Sequence, residues 1–368
     1  MTVKCAVSRS DGQIAVEDLT LIDPGEGQVV VRLDASAVCS TDTVSVDGDS
    51  PSARPFVPGH SATGIVEEVG PGVTRARTGD RIVLAGTMEC GACYQCQRGT
   101  PSQCDRLWQT MFSAPQAIGR ADSDGAEVVA DGGAGAFAER MVYNERCFAV
   151  VHSDLPVEQL ALLGCGALSG IGAVVEVAQV QPGDSVAVLG LGHLGLWMVQ
   201  AAKASGAERI FAIEPLPRRR ELAGALGATD LIDPADGDPA EQVRALTGGR
   251  GADVALEATG TAAGLEQVFG LARNGGIVVP TSVAVPIMTS TVTLPAVAYA
   301  LFGKQIRSSQ SGGGFLRRDV PRFARMIESG LVDAGVMVSR TYALGEIAEA
   351  FDAARNRQVI TGVLLNQT

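Results

Sequence analysis

The rhythm of apolar and polar positions changes near the middle of the chain. Over roughly the first 150 residues, short apolar runs at 27–33 (GQVVVRL), 64–69 and 81–84 are separated by Pro, Gly and Asp turns. Runs of this kind predict strands, so this part reads as all-β and loop-rich. After Leu155-Pro156 the character shifts. Residues 157–179 read as helical with a Gly-rich interruption, and from Pro182 strand and helix patterns alternate. Strands are predicted at 185–189, 209–213, 231–232, 253–257 and 276–279, with helices over 218–226, 240–246 and 263–273. Such alternation predicts right-handed βαβ units and a doubly wound parallel sheet. From about Lys304 the pattern returns to the first type, with a helix over 345–355 and a last strand at 362–365. The fold class is α/β. A mostly-β domain takes residues 1–166 and 304–368, and a parallel-sheet domain takes 167–303.

The stretch from Ser185 to Glu214 carries the sharpest pattern of the second domain. A buried-strand run meets the turn Gly190-Leu191-Gly192-His193-Leu194-Gly195, an Ala-rich helical run continues to Ser205, and a second apolar run ends in Glu214. Gly190 permits the tight turn, Gly192 lets a pyrophosphate approach the backbone, and Gly195 lets helix and strand pack closely. The diphosphate would rest on the unpaired N–H groups of the helix N-terminus. Glu214, nineteen residues after Gly195, is placed to accept hydrogen bonds from the adenosine ribose. Strand, turn, helix, strand and acid together predict dinucleotide binding. A glycine-rich turn by itself would equally suit a purely structural role.

Composition narrows the partners. The chain has 368 residues, 46% of them hydrophobic, with 45 glycines, which suits two domains with sizeable cores. A net charge of −12 argues against nucleic acid or an anionic membrane as partner. The opening residues, MTVKCAVSRSDGQ, carry no apolar signal core, and no apolar run reaches the roughly 18 residues that span a bilayer. The expected location is cytoplasmic, where the eight cysteines stay reduced and serve metals or catalysis rather than disulfides.

Four of those cysteines, Cys90, Cys93, Cys96 and Cys104, fall within fifteen residues in a Gly-containing loop. They can close around one tetrahedral Zn²⁺, and with no position left for water such a site is structural. An iron–sulfur cluster or free thiols are the alternatives. Cys39 (AVCSTD), His60 (PGHSATG) and Cys165 (LLGCGALSG) are dispersed. Together they would supply two thiolates and one imidazole with the fourth position open, as catalytic zinc requires. Spacing leaves open that each is a core Cys or a structural His.

C-x-T-D at Cys39 to Asp42, Gly59-His60, the four-cysteine lobe, Gly164-Cys165-Gly166 and GLGHLG occur together and in order, with GAFAER at 135–140 before the linker. Nearly end to end, the chain resembles the zinc-dependent alcohol dehydrogenases of the medium-chain dehydrogenase/reductase superfamily. The interval from Cys104 to Cys165 is similar to that of the longer-chain alcohol and formaldehyde dehydrogenase branch. The resemblance implies a GroES-like catalytic domain carrying a structural zinc lobe at 90–104, and a Rossmann domain. It implies that Cys39, His60 and Cys165 hold catalytic zinc, that Thr41 hydrogen-bonds the substrate oxygen, and that Asp42 orients His60. Glu214 would take the ribose and Arg219 the basic position beside it. The cofactors implied are two Zn²⁺ per chain and NAD(H). The partners are a small alcohol or carbonyl substrate and a second copy in a homodimer.

The reaction implied is oxidation of an alcohol, or the reverse, with hydride passing from a zinc-bound alkoxide to C4 of the nicotinamide. An ene-reductase acting on a polarised C=C and a zinc hydrolase or hydratase are the rival readings. Several positions depart from the family pattern. Ser61 stands where an acid often follows the zinc-binding His, Ser40 where a basic residue is frequent, and Val44 where some members end the proton relay in His. His193 replaces a small residue in the Gly-rich turn, where it could help hold the diphosphate. Gly86 falls where many relatives place a bulky pocket residue, which suggests a wide pocket, with Trp108, Met111 and Phe112 as candidate lining.

Overall fold

The computed structural model describes residues 1–10, 12–48, 50, 55–107, 117–282 and 289–366. Trp108, Met111 and Phe112 lie outside the described residues. The chain divides into two compact units. Met1–Cys165, Phe315–Ser329 and Asp333–Thr368 form the first, and Gly166–Gly314 with Gly330–Val332 forms the second.

The first unit is built on two sheets. One runs in the order β1 (Thr2–Val7), β2 (Ala15–Leu21), β7 (Ala117–Ala121), β8 (Glu127–Ala130), β4 (Phe56–Val57). The other runs β10 (Phe148–Val150), β6 (Arg81–Ala85), β5 (Ser61–Val69), β3 (Gln28–Ala37), β18 (Gly362–Leu365), β17 (Arg340–Ala343), and β9 (Arg140–Asn144) also pairs with β3. Val29, Val31 and Leu33 of β3 pack with Leu19, Ala62, Val66, Ile82 and Leu84 in one buried cluster. Alternate positions point inward, Val29, Val31 and Leu33 on β3 and Ile82 and Leu84 on β6, and this period of two sets their register over that core.

Helical elements interrupt the expected all-β region: a short one at Tyr94–Gln97 and, longest among the described residues of that region, one at Ser40–Val46. In the longer helix the side chains oppose the fold. Its Thr and Val content favours strand, since β-branched side chains lose rotamer freedom in a helix. The helix is started from its N-terminus, where the Asp42 carboxylate accepts the backbone N–H of Cys39 at 2.9 Å.

The second unit is an all-parallel six-stranded sheet. Its order is β13 (Asp230–Ile232), β12 (Arg209–Ile213), β11 (Ser185–Leu189), β14 (Ala252–Glu257), β15 (Ala272–Pro280), β16 (Gln305–Ile306). β11 lies at the centre, where the order reverses, and Val186, Ala187 and Val188 are buried as helices on both faces require. The second unit extends to Gly314, beyond the residue 304 expected from the pattern. β16 continues the sheet beside β15, and Gly312 packs against the Leu168 carbonyl, so this stretch is held by the parallel-sheet unit. Among the described residues no single helix is long and apolar enough to cross a membrane.

Candidate zinc and dinucleotide sites

The four clustered cysteines converge. Their ligand atoms all lie within 4.8 Å of one another, with Cys90 Sγ 4.0 Å from Cys96 Sγ and Cys93 Sγ 3.9 Å from Cys104 Sγ. A tetrahedral ZnS₄ centre with Zn–S near 2.3 Å needs sulfurs about 3.8 Å apart, so the donor set fits zinc. The separations are far longer than a disulfide bond of about 2.05 Å. The loop prepares the charge the metal needs. Burial opposes the Cys90 thiolate, but the Ala92 and Cys93 N–H groups together with the Cys104 and Cys93 thiols outweigh it and bring Cys90 down to about 6. Cys96 is pushed up to about 12, chiefly by burial.

Cys39, His60 and Cys165, 126 positions apart in sequence from first to last, also bring their donors within 4.8 Å of one another. Cys39 sits at the N-cap of the Ser40–Val46 helix, His60 precedes β5, and Cys165 ends the first unit after a 3₁₀ turn at Ala161–Gly164. His60 Nε2 lies 3.2 Å from Cys165 Sγ, and its Nδ1 lies 2.8 Å from Asp42 Oδ1. Asp42 is buried and reaches three groups. Oδ1 takes His60 Nδ1 and the Gly59 N–H at 3.2 Å, while Oδ2 takes the Cys39 N–H. One carboxylate thus orients two of the three ligands and leaves His60 Nε2 to the metal side. Three donors with no fourth protein ligand among the described residues fit an open zinc site.

The charges are coupled. A hydrogen bond from the Cys165 thiol holds Cys39 well below the usual thiol range against its burial, and His60 adds to the effect. Burial disfavours the His60 cation, but Asp42 and Cys165 outweigh it and raise His60 well above the ordinary imidazole range. Asp42 is raised, by burial first, against the pull of His60.

Thr41 and two of the departures from the family pattern have definite places. Thr41 is exposed, with Oγ1 3.7 Å from Cys39 Sγ. Ser61 is buried and donates to the Ala161 carbonyl at 2.6 Å, tying β5 to the segment that leads into Cys165. Gly86 abuts His60: a Cβ there would lie 2.8 Å from His60 Cβ. Its lack of a side chain leaves room for the imidazole.

In the second unit the fingerprint has the geometry of a cradle. Gly190 has φ +91°, and a Cβ there would meet the Ala258 carbonyl at 2.8 Å, so only glycine suits the turn. A Cβ on Gly195 would fall 1.8 Å from the Gly190 carbonyl, which is the close helix–strand packing expected of it. The helix His193–Ala204 starts at Gly192 without a side-chain cap, leaving its first N–H groups for an anion. Glu214, 5% exposed, directly follows β12 and accepts the Leu191 N–H at 2.9 Å and the Leu216 N–H at 3.2 Å. Arg219 Nη1 lies 3.8 Å from where a Gly192 Cβ would be, whereas Arg220 pairs with Asp233. This donor set fits a dinucleotide. The His193 ring presses on Gly166, where a Cβ would fall 1.5 Å from Nε2, and meets Trp197 edge-on at 6.4 Å.

Sequence reasoning passed over Glu257, the last residue of β14, which is completely buried beside the fingerprint. Its partners lie two, three and twenty-five residues away, a spacing that no local pattern exposes. A cavity of about 760 Å³ lies elsewhere, lined by Arg244, Arg273, Phe302 and Lys304 toward the amino ends of β14 and β15.

Residues 25–156 match the family profile described as alcohol dehydrogenase GroES-like domain, and residues 194–329 match that described as zinc-binding dehydrogenase. The chain is 33% identical to an NDMA-dependent alcohol dehydrogenase of Amycolatopsis methanolica, covering 100% of this chain and 99% of that protein. It is 33% identical to an S-(hydroxymethyl)glutathione dehydrogenase of Synechocystis, covering 99% and 100% respectively. The crystal structure of benzyl alcohol dehydrogenase from Acinetobacter calcoaceticus superposes with a TM-score of 0.90 at 30% identity over 100% of both chains. These similarities do not favour an ene-reductase or a hydrolase. The chain belongs to the zinc-dependent alcohol dehydrogenases of the medium-chain dehydrogenase/reductase superfamily, oxidoreductases that act on CH–OH groups.

Proposed function

We propose that the protein oxidises an alcohol, or reduces the matching carbonyl compound, with NAD(H), using two zinc ions per chain. Cys39, His60 and Cys165 would hold the catalytic ion, and Cys90, Cys93, Cys96 and Cys104 the structural one. The observation that carries this reading is the pair of donor clusters, one of four thiols and one of three ligands oriented by a single carboxylate. When bound at the three-ligand site, zinc supplies Lewis acidity that lowers the pKa of a substrate hydroxyl. The nicotinamide supplies the hydride acceptor. Thr41 Oγ1 takes up the hydroxyl proton and passes it on, and Asp42 keeps His60 in the tautomer that presents Nε2. The backbone at Gly190, Gly192, His193, Leu194 and Gly195 cradles the diphosphate, so His193 contributes its N–H rather than its ring. Glu214 binds the adenosine ribose and favours NAD over NADP, with Arg219 alongside.

The partners are a small alcohol or carbonyl compound and a second copy of the chain, with neither nucleic acid nor membrane. A homodimer is supported by the exposed edge strand β16 and by the adjoining helix Ala296–Leu301. Tyr299 there is 64% exposed and Leu301 76%. Two thiolate sites need a reducing compartment, which supports the cytoplasm. Benzyl alcohol is the first substrate to try, and NDMA the first added acceptor. The test is metal analysis together with NAD⁺ reduction over primary, aromatic and cyclic alcohols. Two zinc ions and activity on an alcohol panel are expected; one zinc, or reduction of enones without carbonyl reduction, would overturn the reading.

A further inference from the structure

Glu257 pairs in register with Leu189, the last residue of β11, where the strand order reverses. The side chain is completely buried, and its hydrogen-bond partners among the described residues are all neutral. Oε1 accepts the Thr259 N–H at 2.6 Å, the Thr259 hydroxyl at 2.7 Å and the Gly260 N–H at 3.1 Å. Oε2 accepts the Ser282 hydroxyl at 2.5 Å and its N–H at 3.4 Å. Ser282 Oγ in turn accepts the Gly260 N–H at 2.8 Å. A buried carboxylate without a cation persists only when donors surround it, so the network is all-or-none.

Those donors sit on two different turns, one leaving β14 and one leaving β15. The first turn packs on the fingerprint itself. Ala258 N–H donates to the Leu189 carbonyl at 2.8 Å, and a Cβ on Gly190 would lie 3.0 Å from Thr259 Cγ2. Glu214, the proposed ribose acid, directly follows β12, on the opposite side of β11. A dinucleotide bound outside the carboxyl ends of the strands spans this reversal point. With its adenosine at β12, its nicotinamide half lies toward the turns of β14 and β15.

We propose that Glu257 is a positioning residue for the nicotinamide half of the cofactor, acting through the two turns it ties together. This rests on the dinucleotide reading given above. The test compares wild type, Glu257→Gln and Ser282→Ala for binding of NADH, followed by fluorescence, and of ADP-ribose, which ends before the nicotinamide, followed by calorimetry. Glutamine places a donor against the donors that the carboxylate now satisfies, so Glu257→Gln is expected to weaken NADH by about tenfold or more. ADP-ribose should stay within about twofold, because Glu214 and the helix N-terminus are untouched. Ser282→Ala removes one hydroxyl donor and should weaken NADH selectively by a smaller factor. It decides the matter if Glu257→Gln does not fold. Equal losses for both ligands, or no loss of NADH binding in a folded variant, would overturn the proposal. A wild type that binds neither ligand would overturn the dinucleotide reading beneath it.

Discussion

Asp42 uses both carboxylate oxygens at once, and its two tasks point to one outcome. Neutralising it as Asp42→Asn sets an amide N–H₂ against either the Cys39 N–H or the His60 ring. Loss of such a supporting group costs roughly 10- to 100-fold in metal affinity in comparable sites. Catalytic zinc should therefore be lost to a chelator at much lower chelator concentration, which metal analysis after graded dialysis reads, while the four-cysteine zinc remains. Glu214 makes a second prediction at this scale. A 2′-phosphate would meet its carboxylate, so Glu214→Ser should raise the NADP/NAD preference by about tenfold, on the order of 1.4 kcal/mol. An unchanged ratio of kcat/KM values would remove Glu214 from the ribose. The proton path gives a third. Val44, half-buried in the Ser40–Val46 helix, cannot accept a proton from Thr41. Thr41→Ala should cost roughly 10² in rate. Val44→His, with an unperturbed imidazole near 6.5, should raise alcohol oxidation near neutral pH and do little at alkaline pH, where hydroxide serves. Superimposable pH–rate profiles would show that position 44 is not on the path.

The elements divide by how local their causes are. β11 and β12 stand where the apolar runs placed them, and the helix after Gly192 ends at Ala204, one residue short of the run, because a buried parallel strand and an Ala-rich helix announce themselves within a few residues. β16 was not legible. Its two residues are both exposed and join the sheet only because β15 offers an edge. The Ser40–Val46 helix escaped notice because its start depends on one carboxylate turning back to Cys39, against the strand preference of its side chains. In the sites, the ligand types and the fingerprint could be read directly. The closeness of Gly86 to His60 and the donors of Glu257 could not, since both are created by tertiary packing. The element scale also separates the two proposed metals. Cys93→Ser opens a closed site whose binding energy is folding energy, so soluble yield and Tm should fall first. Cys165→Ser should leave a folded chain that binds NADH and lacks activity. Two variants with the same profile would deny the structural and catalytic split.

For the whole molecule, exposed apolar side chains at Val297, Tyr299, Leu301, Phe302 and Ile306 lie on or beside β16, and the proposed homodimer there would link assembly to stability by mass action. Introducing charges on the helix beside that edge, as Tyr299→Asp and Leu301→Asp together, should shift the species seen by light scattering toward monomer and remove the concentration dependence of Tm expected of the dimer. A dimer of undiminished affinity would move the interface elsewhere.

The first unit is sewn from both ends of the chain: β18, residues 362–365, lies between β3 and β17. During synthesis, then, the ribosome delivers the cysteines and His60 proposed as metal ligands before residues 362–365, the interior strand that pairs with β3. The parallel-sheet unit, contiguous from Gly166 to Gly314 but for three residues, can fold in the meantime. The zinc capture proposed for Cys39, His60 and Cys165 is therefore expected to come late, and a chain cut short after Gln358 is expected to keep its cofactor fingerprint while losing a strand of the sheet that flanks Cys39 and His60.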